Sequence, residues 1–247
     1  MATRYHIAAK SLRGDIATYA KRFDLLELPV VAAANLRLMP SATTLRKWRK
    51  NVPPTFEFAV VCGPAMSTLK ASDAADLERA AFTQTSDVLE ARIALVKTPV
   101  DVSPSQVWRD RLRAFVETIR REATTVVWEC SGLWEIEEAA RFAKKIDVVL
   151  VTDPARDVVP EGPVAYGRLR ALGETRTFGP AALERIAKSV GDRRDAYMVI
   201  ETDTALAECK GLRKAAVRVR SGASGGMGRL IKPRTPVALV AHDDEQE

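Results

Sequence analysis

Along the chain, short apolar runs alternate with longer stretches in which apolar positions recur every three or four residues. The short runs are YHIAAK (5–10), LLELPVVA (25–32), FEFAVVC (56–62), RIALVKT (92–98), TTVVWEC (124–130), DVVLVT (147–152), VAYGRL (164–169) and AYMVIE (196–201). Their near-continuous apolar character predicts parallel strands covered on both faces, because a half-solvated strand would alternate apolar with polar. Between them Trp108, Leu112, Phe115, Val116 and Ile119 fall on one helical stripe. So do Ile136, Ala139, Ala140 and Ala143, and again Leu183, Ile186, Ala187 and Val190. Start signals agree. Ser72 precedes the acidic turn DAAD, while Ser103-Pro104 and Gly179-Pro180 place a cap residue before a proline suited to a first helical position.

Eight such repeats predict a single (β/α)8 TIM-type barrel over residues 1–220, since an open doubly wound sheet more often stops short of eight strands. From Ser221 the stretch SGASGGMGRLIKPRTP breaks the pattern, and VALVA (237–241) follows it. Residues 221–247 therefore read as a basic, Gly-rich C-terminal extension.

Composition narrows the chemistry. Apolar residues at 47% and charged residues at 28% suit a core-forming chain and exclude a disordered one. No window approaches the roughly 18 consecutive apolar residues of a membrane span, and the opening MATRYHIAAKSLRGD has no apolar signal-peptide region, so a cytoplasmic location and no membrane partner are expected. Cys62, Cys130 and Cys209 lie far apart without CxxC spacing, which predicts reduced thiols and no zinc site. Only His6 and His242 are present, so a multi-histidine metal centre is excluded and a Ser-His-Asp triad would rest on His6. No metal is expected, and the sequence names no cofactor. The net charge of +6 is uneven: residues 210–247 hold eight Lys/Arg against four acids.

The order of motifs in the first quarter of the chain is specific. Tyr19-Ala20-x-x-Phe23, then Asn35, Pro40, Thr44-x-x-x-Trp48 and Pro53-x-x-Phe56-x-Phe58-Ala59-Val60 resemble the opening of the DUF72 family (domain of unknown function 72, the YecE-like proteins). Glu129, Asp153-Pro154 and Tyr166-x-Arg168-Leu169 keep that family's later order, and the resemblance spans roughly residues 5–217. It implies a TIM-type barrel and brings no substrate, cofactor or catalytic residue. The polar signature departs from the family's: Cys130-Ser131 stand where it places Arg-His, Arg170-Ala171 where it places His-Gly, and Glu201-Thr202 where it places Asn-Asn.

Barrel enzymes carry their sites at the C-terminal ends of the strands. Those ends here are Lys10, Asn35, Cys62, Lys97 with Thr98, Glu129, Asp153, Arg168 with Arg170, and Glu201 with Asp203. Such a ring can bind an anion. Arg168 and Lys97 are the candidates for gripping phosphate or carboxylate, since a guanidinium offers two parallel donors and an ammonium a mobile charge. Glu129 is the candidate acid/base, on the expectation that an apolar setting between Trp128 and Trp134 moves its pKa towards neutrality. Asn35, Asp153, Glu201 and Trp134 complete the candidate ligand-binding set. The competing reading makes these charges salt bridges that close a barrel mouth.

Trp48 and Trp108 are expected in the core, on helix faces turned to the strands, whereas Trp134 either lines a pocket or packs. Basic residues run from Arg213 to Arg234 with no acid among them, so that segment either contacts a nucleic-acid backbone or forms a solvated tail. Three functional readings stand: a barrel that binds, or binds and transforms, a small anionic ligand; a non-catalytic relative acting as an interaction scaffold; and nucleic-acid association through residues 213–234.

Overall fold

A computed structural model describes residues 3–120, 125–171 and 176–224. Its strands are β1 (Arg4–Ala9), β2 (Leu25–Pro29), β3 (Glu57–Val61), β4 (Ile93–Lys97), β5 (Thr125–Glu129), β6 (Val149–Thr152), β7 (Val164–Leu169) and β8 (Asp195–Ile200). Each falls within or one residue outside an apolar run read from the sequence. The helices are α1 (Ile16–Ala20), α2 (Ala42–Lys50), α3 (Pro64–Ser67), α4 (Asp73–Leu89), α5 (Gln106–Ile119), α6 (Ile136–Lys145), α7 (Pro180–Val190) and α8 (Ala205–Ser224). A 3-10 helix, Ala33–Leu38, precedes α2.

All strand pairs are parallel, in the order β1-β8-β7-β6-β5-β4-β3-β2, so the sheet curls into a nearly closed TIM-type barrel. Its two ends, β1 and β2, meet without a ladder and are stitched by side chains instead. The buried Tyr19 hydroxyl accepts the Ala9 N–H at 3.0 Å and donates to the Leu25 carbonyl at 3.0 Å. One backbone bond, Asp24 N–H to the Ile7 carbonyl at 2.9 Å, crosses the same seam.

Strand alternation sorts the core into two layers. Inward residues such as Ala8, Leu25, Leu95, Val127, Tyr166 and Val199 fill the barrel. Outward residues pack under the helices, with Trp128 against Trp134 and Phe142 on one flank, and Phe58, Leu169 and Met198 with the α7–α8 stripe on the other.

Capping follows the sequence in two of three places. Ser72 caps α4 by accepting the Ala75 N–H, and Gly179-Pro180 open α7. Ser103-Pro104 do not open α5, which starts at Gln106 with Ser105 as its cap position. The sixth repeat also departs from expectation: β6 passes to β7 through turns, because Pro154, Pro160, Gly162 and Pro163 punctuate the segment between them. At the other end α8 runs to Ser224, past the boundary expected at 220; residues 225–247, with VALVA, lie outside the described residues.

Candidate functional site at the barrel mouth

Strand parity decides which side chains reach the mouth. Inward positions 95 and 127 continue to Lys97 and Glu129, and inward 164 and 166 continue to Arg168 and Arg170. The β4–β5 register sets Lys97 directly beside Glu129. Leu25 inward makes Glu27 inward too, two residues further along β2.

Arg168 sits at the centre with a side chain only 5% exposed. Its Nε donates to Glu129 Oε2 at 2.7 Å, its Nη1 to Glu201 Oε1 at 3.0 Å, and its Nη2 to both Glu27 oxygens at 2.9 and 3.0 Å. Arg170 caps the group from above, donating to Glu201 Oε2 at 3.0 Å and Glu129 Oε1 at 2.7 Å. Lys97 Nζ lies 3.4 Å from Glu129 Oε2. Below, the Tyr166 hydroxyl donates to Glu27 Oε1 at 2.6 Å. Three carboxylates and three cations thus interlock.

The titration behaviour follows from this geometry. Burial alone would raise the Glu129 pKa, but Arg168, Lys97 and the Arg170 hydrogen bond outweigh it and hold the carboxyl below its ordinary range. Burial alone would lower Arg168, but Glu27 and Glu129 overcome it and hold the guanidinium above its usual value. The expected drift of Glu129 towards neutrality is therefore corrected: Trp128 points to the opposite face of β5, and Glu129 looks at arginines. An ionised, triply paired carboxylate is no proton donor at neutral pH.

Of the candidates read from the sequence, Lys97, Glu129, Arg168 and Glu201 come together. Asn35 does not: it lies exposed on the 3-10 helix. Asp153 follows β6 in its own turn, its Oδ1 accepting the Ala155 N–H at 3.1 Å and its buried Oδ2 without a hydrogen bond; burial raises its pKa. Trp134 is buried at 8% exposure against Trp128 and Phe142, with its indole N–H donated to the Val102 carbonyl at 2.8 Å, so it lines no binding surface. Trp108 is half-buried outside the core, flanked by Lys70 and Arg111, which corrects its expected packing; Trp48 packs against the core edge.

Glu27 escaped the sequence reading, although a lone carboxylate two residues after an inward leucine in LLELP was the available signal. Buried carboxylates that organise the loops escaped it as well. Glu78 of α4 accepts the Ala33 and Met66 N–H groups at 3.0 Å each, and Glu208 of α8 accepts the Phe178 N–H at 2.7 Å and bonds the Thr202 hydroxyl. Among the described residues no group of three or more His, Cys, Asp or Glu is placed to hold a metal, which agrees with three mouth carboxylates being occupied by arginines. Of the basic segment 213–234, Arg213 pairs with Asp24 at 2.6 Å, and residues 225–234 lie outside the described residues.

Comparison with known proteins decides the family. The model of the family described as "Protein of unknown function DUF72" matches residues 4–218. This chain belongs to the DUF72 family. Its barrel is similar to that of a DUF72 protein from Enterococcus faecalis, with a TM-score of 0.64 at 13% identity over 86% of this chain and 95% of that one. A DUF72 protein from Thermotoga maritima gives 0.57 at 14% identity over 90% and 99%. A xylose isomerase domain containing protein from Salmonella typhimurium gives 0.57 at 12% identity over 88% and 97%. No curated protein matches the chain. At these identities the structural likeness speaks to the DUF72 fold alone. Among the described residues no helix is long and apolar enough to cross a membrane.

Proposed function

We propose that this DUF72 protein binds a small anionic ligand, a phosphate or carboxylate compound, at the C-terminal mouth of its barrel. The supporting observation is the vertical order of charge. The carboxylates lie below, at 8%, 13% and 17% exposure for Glu27, Glu129 and Glu201, whereas Lys97 and Arg170 stand above them at 49% and 46%. An approaching solute meets cations first. Lys97 has one weak contact and free N–H groups, and Arg170 keeps Nη1 uncommitted, so these two supply the grip. Arg168 commits all three of its guanidinium nitrogens to carboxylates and serves as the keystone that holds them down. Three unpaired cysteines go with a reducing, cytoplasmic setting.

The test is a thermal-shift screen against phosphates, sugar phosphates, nucleotides and short carboxylates, with Lys97→Ala and Arg170→Ala alongside. A ligand at about 100 times its Kd stabilises by about 2.7 kcal/mol, a shift of roughly 5–10 °C in a chain of this size. Loss of that shift in both variants supports the reading; a flat screen for the native protein sinks it. The second reading, a barrel retained as a non-catalytic scaffold, is favoured by the burial of Arg168 among three carboxylates, and the flat screen is its prediction. Nucleic-acid association through 213–234 predicts instead a salt-steep affinity for oligonucleotides that ends when the chain is cut near 220.

A further inference from the structure

Beside the mouth, a cavity of about 240 Å³ opens between the β1–α1 loop and the β8–α8 loop, and none of the six interlocked mouth residues lines it. Its buried wall is aromatic and apolar: Tyr19 and Phe23, with stacked rings 4.7 Å apart, and Leu206 beside them. Its exposed edge carries Lys10, Arg13 and Arg22 against a single carboxylate, Asp203. Arg13 reaches Asp203 at 3.5 Å, with both side chains largely in water, so that pair is weak. Lys10 and Arg22 have no ion-pair partner among the described residues. Cations left unpaired around a concave, ring-floored space are a recognition arrangement that packing does not require.

We propose that this cavity is a second binding site, for a small phosphate monoester whose phosphate meets Lys10, Arg13 and Arg22 and whose body rests on the Tyr19–Phe23 rings. Three cations and one carboxylate are balanced by a dianion, and a phosphomonoester carries about −1.5 to −2 at pH 7, whereas a carboxylate carries one charge. The volume lies below the roughly 300–1,000 Å³ of pockets for drug-sized ligands, so the body is a single ring or a short chain. The Tyr19 hydroxyl is committed to the β1–β2 seam and its ring is stacked on Phe23, so this wall offers the ligand apolar contact and no hydrogen bond. The site stands independently of the proposed mouth ligand.

Phenyl phosphate is the probe, titrated calorimetrically into the full chain with benzoate and inorganic phosphate as comparators. The expected result is binding at least about tenfold tighter than either comparator, weakened about tenfold by Lys10→Ala and by Arg22→Ala, each of which removes one charge-assisted contact. Both side chains are exposed, so an unchanged Tm of each ligand-free variant establishes that the fold is intact; Arg22→Gln, which keeps length and polarity, repeats the loss without the charge. Arg170→Ala is expected to leave this binding in place. The proposal is overturned by no binding at millimolar probe, by benzoate binding as well as phenyl phosphate, or by binding that follows Arg170 and ignores Arg22. Equal loss in the Arg22 and Arg170 variants overturns it as a separate site.

Discussion

Taking a guanidinium out of water costs several kcal/mol, and only a full set of acceptors offsets it. Arg168 has that set in Glu27, Glu129 and Glu201, so its removal leaves three buried carboxylates without their common counter-ion. Arg168→Met is expected to lower stability by about 3–5 kcal/mol in urea unfolding. Arg170→Ala, half-exposed, costs about 1 kcal/mol or less. Equal losses would mean that Arg168 is no keystone. Glu129 adds a pH dependence with a definite sign. Its folded pKa is depressed, so its contribution is present above the unfolded value of about 4.3 and is lost as pH falls through the folded value. The acid limb of a urea-midpoint profile should therefore flatten in Glu129→Gln, and an unchanged limb would place the acid sensitivity elsewhere. Five of the six mouth residues were legible in the sequence because parity within a strand is strict: once Val127 is inward, Glu129 is inward. What parity cannot supply is the partner across the barrel. Glu27 meets Arg168 from a strand 141 residues away, and the direction of the Glu129 shift depended on that three-dimensional pairing.

Elements were legible to the extent that each carries its own period and punctuation. All eight strands lay in apolar runs, yet the sixth helix was counted from the rhythm of the others, against Pro154, Pro160, Gly162 and Pro163 in the intervening segment. Local breakers outweigh the repeat there. The β1–β2 seam shows the opposite case, a tertiary device with no periodic signature. Tyr19 reads from the sequence only as part of the opening family motif, but its hydroxyl closes the barrel by serving the Ala9 N–H and the Leu25 carbonyl. Tyr19→Phe leaves both without that partner and is expected to cost about 1–3 kcal/mol. Hydrogen exchange at the Ala9 amide should quicken more than at Val96, deep in the β4 ladder, and equal protection at both would show that the seam needs no stitch.

Across the whole molecule the same seam sets where opening begins. Every strand but β1 and β2 is held by ladders on both sides, so the barrel should yield first where side chains replace a ladder. The three free cysteines sample that difference. Burial pushes Cys62 up to about 12 and Cys130 and Cys209 up to about 11, so none is a ready thiolate near neutral pH, and labelling of the two buried ones must wait for opening. Cys62 follows β3, while Cys209 on α8 lies against the seam with its Sγ 3.6 Å from the Arg22 carbonyl. In a thiol-labelling time course at pH 8, half-buried Cys130 should react first and Cys209 before Cys62. Tyr19→Phe should accelerate Cys209 by a larger factor than Cys62, since only the former reports on the seam. If both thiols accelerate by one common factor, the barrel opens as a single cooperative unit, and Tyr19 contributes to global stability without defining a weaker edge.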